Sequence, residues 1–139
     1  MKQKEKITEA LIKDGLEPLF KKEDLKLVIL FGSISTGNIH KRSDIDLGFL
    51  FVNIIDILNL TNSVIRLLKT DTVDVVDLRR ASPLLKFAAV KNGKLLYEKA
   101  PGMFHEFASL AFRRYVDTKK LRDARAESIK IFLKKGAVT

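Results

Sequence analysis

The residues able to do chemistry gather in three short stretches. Asp44-Ile45-Asp46 opens DIDLGFLFV (residues 44–52), polar at its start and apolar afterwards, which reads as a strand. Residues two apart on a strand share a face, so the two carboxylates stand side by side. They repel each other unless a cation lies between them. Mg²⁺ meets that need, since it takes oxygen ligands and is commonly held by one or two carboxylates plus substrate phosphates. The plainer reading leaves both acids facing solvent. Gly32-Ser33 directly follow the apolar run KLVILF (residues 26–31). Glycine lets backbone approach a ligand, N–H groups at a helix start attract anions, and the Ser33 hydroxyl adds a donor. This is a small phosphate cradle, or simply a turn. The third stretch is TDTVDVVDL. Asp74 stands among Val73, Val75 and Val76, where a carboxylate needs a metal or a proton to take. Asp77 points to the opposite face from Asp74, and Asp71 falls in the preceding loop. Asp74 is therefore the choice for a third carboxylate, with Asp77 as the alternative.

The elements that must hold these residues alternate. A helix is expected over residues 3–20, with Ile7, Leu11 and Ile12 on one face and Gly15 and Pro18 interrupting its end. Strands are expected over 26–31, 44–52, 72–78 and 94–98, the third rich in β-branched residues. A helical turn could run from Ser33 to Gly37. A helix is expected over 54–69. Another starts at Ser82-Pro83, runs to about Lys91 and is closed by Gly93 in the left-handed conformation. From Pro101 a last helical region carries Phe104, Phe107, Ala108, Ala111 and Tyr115 at spacings of three and four, a core-facing stripe. The pattern predicts an α/β (α+β) fold with a small mixed sheet of about four strands flanked by helices. It fits a single domain over residues 1–139, with a core at 25–100, an N-terminal helix at 3–20 and a basic helical region at 101–135.

Composition narrows the classes. A chain of 139 residues can bury about 68–70% of its unfolded surface and needs no staples. The absence of Cys excludes disulfides, thiolate metal sites and a Cys nucleophile. No apolar run approaches the roughly 18–20 residues of a membrane span, and MKQKEKITEA lacks a signal-peptide core, so a cytoplasmic protein without membrane contact is expected. The net charge is +9, and residues 113–135 hold 9 basic and 3 acidic residues of it. That basic tail is a candidate docking face for an acidic partner, or a solvated helix face. His40 and His105 stand alone and read as surface residues. Tyr97 and Tyr115 read as packing anchors, and Phe104, Phe107 and Phe112 as packing rather than base-stacking groups.

Spacing joins the first two stretches. Gly32-Ser33, ten residues, then Asp44-x-Asp46, placed between two apolar strands, resembles the signature of the nucleotidyltransferase superfamily related to DNA polymerase β. At this length the chain resembles the minimal nucleotidyltransferase (MNT) family. VDVVDLRRASPLLKFAAVKNGKLLYEK (residues 73–99) and the Phe-rich last helix with Arg113-Arg114-Tyr115 look like the second half of the MNT antitoxins of HEPN/MNT toxin–antitoxin pairs. The loop ISTGNIHKRS carries His40, Lys41 and Arg42 where many relatives have Pro or Ala. The resemblance implies a Mg²⁺-dependent adenylyltransferase that moves AMP from ATP onto a tyrosine of a HEPN-family RNase toxin and silences it. Gly32 and Ser33 would hold the triphosphate. Asp44 and Asp46 would bind Mg²⁺, and Asp74 would bind a second ion, act as base, or both. Lys41 and Arg42 could reach the β- and γ-phosphates. The partner is then the toxin, with no nucleic acid required. Two other functions fit the same residues: a binding antitoxin that masks the toxin by contact, and a nucleotidyltransferase acting on a small molecule or RNA.

Overall fold

The structure, a computed structural model, describes residues 8–31 and 45–136. The first helix, α1 (Glu9–Phe20), starts at Thr8, whose hydroxyl accepts the Leu11 N–H at 3.2 Å. Contrary to expectation, it runs through both Gly15 and Pro18. At Gly15 the reason is room: a Cβ there would stand 2.9 Å from the Leu68 side chain of the neighbouring helix. The strands β1 (Leu25–Phe31) and β2 (Ile45–Phe51) follow. Helix α2 (Ile57–Leu68) begins three residues later than the periodicity suggests. Asp56 sets that start, its carboxylate accepting the N–H groups of Leu58 and Asn59 at 3.1 and 3.2 Å, a typical N-cap arrangement.

After β3 (Val73–Asp77) comes α3 (Pro83–Asn92), capped as expected by Ser82, whose hydroxyl accepts the Leu85 N–H at 3.2 Å. Gly93 is not left-handed. Its φ of −85° and ψ of 163° are extended, because the chain passes straight from α3 into β4 (Lys94–Glu98). Glycine is needed there for space, since a Cβ would fall 2.1 Å from the Ala89 carbonyl oxygen and 2.5 Å from Ile29 Cγ2. Gly93→Ala must therefore move backbone, and it is expected to cost about 3 kcal/mol. The check is a lower urea midpoint at unchanged slope.

The strands form one sheet in the order β3-β2-β1-β4. β1 is antiparallel to β2 and β4, while β2 and β3 run parallel, joined through α2 as a parallel pair requires. One sheet face packs on α1 and α2 through Leu47, Phe49, Leu16 and Val64. The other meets α3 and the last helix through Ile29, Leu78, Ala89, Phe104 and Phe107. No polar side chain is buried among the described residues, so apolar burial carries the fold, at about 1.5–3 kcal/mol for each large side chain.

The last helix, α4 (Met103–Gly136), begins two residues after Pro101, with the Glu98 carboxylate accepting the Phe104 N–H at 3.0 Å. Tyr97 stacks on Phe20 and Tyr115 on Phe87, at 4.7 and 4.0 Å between ring centroids, so both are packing anchors. Phe104 and Phe107 also pack, and Phe112, though 56% exposed, lies against the Phe87 ring at 6.0 Å between centroids. His105 is exposed. Among the described residues no helix is long and apolar enough to cross a membrane.

Candidate active site

Three strands bring one row of residues together. In the parallel pair, Asp46 of β2 stands in register with Asp74 of β3. On its other side Asp46 pairs with Phe31, the last residue of β1. Neighbouring strands lie about 4.7–4.9 Å apart, and residues in register present their side chains to the same face. The two carboxylates are thus neighbours on one surface. A backbone hydrogen bond from Ile45 N–H to the Thr72 carbonyl, 2.9 Å, fastens the starts of the two strands. The Thr70 and Thr72 hydroxyls, 2.9 Å apart, organise the turn that leads into β3.

The face is that of α3 and α4. Asp46 alternates with Gly48 and Leu50, and Leu50 packs in the cluster of Ile29, Phe104 and Phe107. The carboxylates sit at the end of that face: Asp46 is half-buried and Asp74 exposed. Only Val73 of its valine neighbours is buried, because β3 is an edge strand. The acid at Asp74 is therefore not driven into an apolar core, as the run of valines suggested.

Asp77 is elsewhere. It pairs with Phe49, three residues along β3 and on the opposite side by alternation. Its carboxylate accepts the Arg79 N–H at 3.1 Å and its carbonyl the Arg80 N–H at 3.2 Å, which folds the turn towards α3. Its charge raises the pKa of Lys86, but burial and the Arg114 guanidinium outweigh it and leave that pKa below the ordinary 10.5. Asp71 is exposed in the loop before β3.

The other candidates, Gly32, Ser33, Lys41, Arg42 and Asp44, lie outside the described residues, as do His40 and the expected turn at 33–37. The strand ends show where their segment attaches. β1 ends at Phe31 and β2 begins at Ile45, and Phe31 pairs with Asp46. Phe31 and Ile45, the described residues on either side of 32–44, thus lie beside the carboxylate row. Among the described residues no group of three or more His, Cys, Asp or Glu is arranged to hold a metal. Asp46 and Asp74 supply two hard oxygen donors side by side, the kind of ligand Mg²⁺ takes. No motif pointed to a groove of about 330 Å³ between Ser82, Pro83 and Leu84 at the start of α3 and Thr118, Leu121, Arg122 and Arg125 of α4. It joins residues far apart in the chain.

Residues 14–101 match the family of polymerase beta nucleotidyltransferases, more than half of the chain and all four strands. The chain belongs to that family. This nucleotidyltransferase is 29% identical over 126 residues to the protein adenylyltransferase MntA of Aphanizomenon flos-aquae, a likeness covering 82% of this chain and 84% of that protein. It superposes on a chain from a crystal structure of a toxin–antitoxin with AMP-PNP. The TM-score is 0.75 and the identity 31%, over 89% of this nucleotidyltransferase and 99% of that chain. A similar fit, with TM-score 0.72 and 27% identity over 88% and 99% of the two chains, is to a structure of tri-AMPylated Shewanella oneidensis HEPN toxin in complex with MNT antitoxin.

Proposed function

We propose that this nucleotidyltransferase is an antitoxin that transfers AMP from ATP to a tyrosine of a cognate HEPN-family RNase toxin and so neutralises it. The reading is carried by the paired carboxylates Asp46 and Asp74 on one face of a family member. It is supported by the likeness to a protein adenylyltransferase and to chains solved with AMP-PNP and with an AMPylated toxin.

The chain's residues divide the work. Gly32 and Ser33 bind the triphosphate, and Lys41 and Arg42 reach its β- and γ-phosphates. Asp44, Asp46 and Asp74 hold Mg²⁺, two ions in this reading. When bound, the metal neutralises phosphate charge and makes the acceptor hydroxyl more acidic. A tyrosine hydroxyl has an ordinary pKa of about 10, so its proton must be drawn off at neutral pH. Asp74, in register with Asp46, is given the role of orienting that hydroxyl and taking its proton. The tyrosine oxygen forms a bond to the α-phosphorus, the bond from the α-phosphorus to the β-phosphate oxygen breaks, and pyrophosphate leaves. Such chemistry is mostly positioning and charge neutralisation.

The test is incubation of the full chain with purified toxin and labelled ATP. Label at the α-phosphate is expected on the toxin and label at the γ-phosphate is not. Chelation of divalent cations is expected to stop the transfer and added Mg²⁺ to restore it. Neutralisation of the toxin without ATP, with no α-label transferred, would instead establish the masking antitoxin. Transfer of label to RNA alone would establish the RNA-modifying enzyme.

A further inference from the structure

The most unusual surface is the far half of α4. At 34 residues the helix is about 51 Å long, and every residue from Asp123 to Lys134 is exposed. The stripe that docks α4 on the body does not stop where the body does. Continued at spacings of three and four from Phe107, Ala111 and Tyr115, it passes through Arg122 and reaches Ile129, Phe132 and Leu133. There those side chains are 53%, 73% and 62% exposed, and Leu84 and Leu121 beside the α3–α4 groove are 53% and 60% exposed.

The near end of this surface is built rather than loose. Arg122 lies 4.2 Å from the centre of the Tyr115 ring. It donates to the Tyr115 carbonyl at 3.0 Å and to the Thr118 hydroxyl. Tyr115 is in turn stacked on Phe87. These contacts tie Arg122 to Tyr115, and through it to α3, where the helix leaves the body. α4 also covers the sheet face on which Asp46 and Asp74 lie.

We infer that this stripe docks the toxin, through a helical surface of the toxin that is apolar at its centre and acidic around it. The inference rests on the toxin-modifying reading above. Charge chooses the occupant. Residues 113–135 hold 9 basic and 3 acidic residues, so a second copy of this chain would bring like charge against like. Arg122 and Arg125 stand within the apolar stripe rather than beside it, which spoils the clean apolar face a lipid surface requires. The exposed groups are mostly aliphatic, and bases stack on aromatic rings, so a protein fits better than RNA. Arginine is among the residues enriched at protein interface anchors, and here two of them lie on the apolar face.

The test is direct titration of purified toxin with the full chain in the absence of ATP. Two variants are compared with wild type, Ile129→Asp with Phe132→Asp, and Arg125→Glu. All three positions are exposed, and equal helical signal and melting temperature check that the variants fold. The double variant is expected to raise Kd about 30-fold, the loss of one interface anchor. Arg125→Glu is expected to raise it about 10-fold at low salt and less at high salt. Wild-type affinity for the toxin in both variants overturns the inference. So does loss in the double variant of self-association, of binding to poly(A) RNA or of binding to anionic vesicles while toxin affinity stays. The two readings fail separately: wild type that binds toxin but transfers no AMP overturns the adenylyltransferase, whereas variants that bind as wild type while wild type transfers AMP overturn only the docking face.

Discussion

A chain in which Asp44 and Asp46 are both replaced by Asn is expected to transfer AMP at least about 10³-fold more slowly than wild type, a loss of about 4 kcal/mol of transition-state stabilisation. Asn keeps the size of Asp and one of its oxygens, but removes the charge and turns the other oxygen into an NH₂ donor. Asp46 is held on both sides by strand pairing, to Phe31 and to Asp74, so the sheet persists in the variant and the effect reads on chemistry. The triphosphate is highly negative, and two neutral amides cannot hold the cation that offsets it. Ser33→Ala, which removes one hydroxyl donor from the proposed cradle, should cost less, about tenfold, close to one hydrogen bond to a charged group. The measurement is transfer of α-labelled AMP to the toxin, with melting temperature followed in parallel. Full transfer by the double Asn variant would remove these two acids from the active site.

The elements and the carboxylate row were legible in the sequence for different reasons. Strand and helix periodicity located all four strands and the four helices of the described residues, within three positions at every described end except the start of α1. The ends that moved did so for reasons periodicity does not encode. α2 starts where the Asp56 carboxylate can cap it, and α1 starts at Glu9, after extended Thr8 caps it, rather than at residue 3. Gly93 marked the α3–β4 boundary correctly while its conformation was misjudged, since the chain enters β4 at once and that strand pairs with β1, distant in sequence. The period of two separated Asp74 from Asp77, but register is a tertiary property. That Asp74 and not Asp77 lies beside Asp46 depends on β2 and β3 pairing in parallel. The far half of α4 was legible only as charge, since exposure of Ile129, Phe132 and Leu133 depends on where the body of the fold ends.

Asp74 and Asp77 should therefore part company in a pair of substitutions. Asp74→Asn is expected to slow AMP transfer by about 10²–10⁴-fold, the range for a positioned acid–base group, without loss of stability. Asp74 is exposed on an edge strand, and like charges directly opposite each other on paired strands oppose that pairing by about 0.2–1 kcal/mol. Removing the charge at Asp74 should thus leave the melting temperature equal to or slightly above that of wild type. Asp77→Ala should do the reverse. Its carboxylate accepts the Arg79 N–H as the chain turns from β3 towards α3. Losing that acceptor should cost about 1 kcal/mol of stability while transfer stays within about twofold, because by strand alternation the side chain points away from Asp46. The two chains would be compared by urea unfolding and by α-label transfer. The crossed pattern separates an acid held in place for chemistry from an acid that folds a turn. If Asp77→Ala lost transfer and Asp74→Asn kept it, the third carboxylate would be Asp77, and the parallel register would not be the geometry on which the reaction runs.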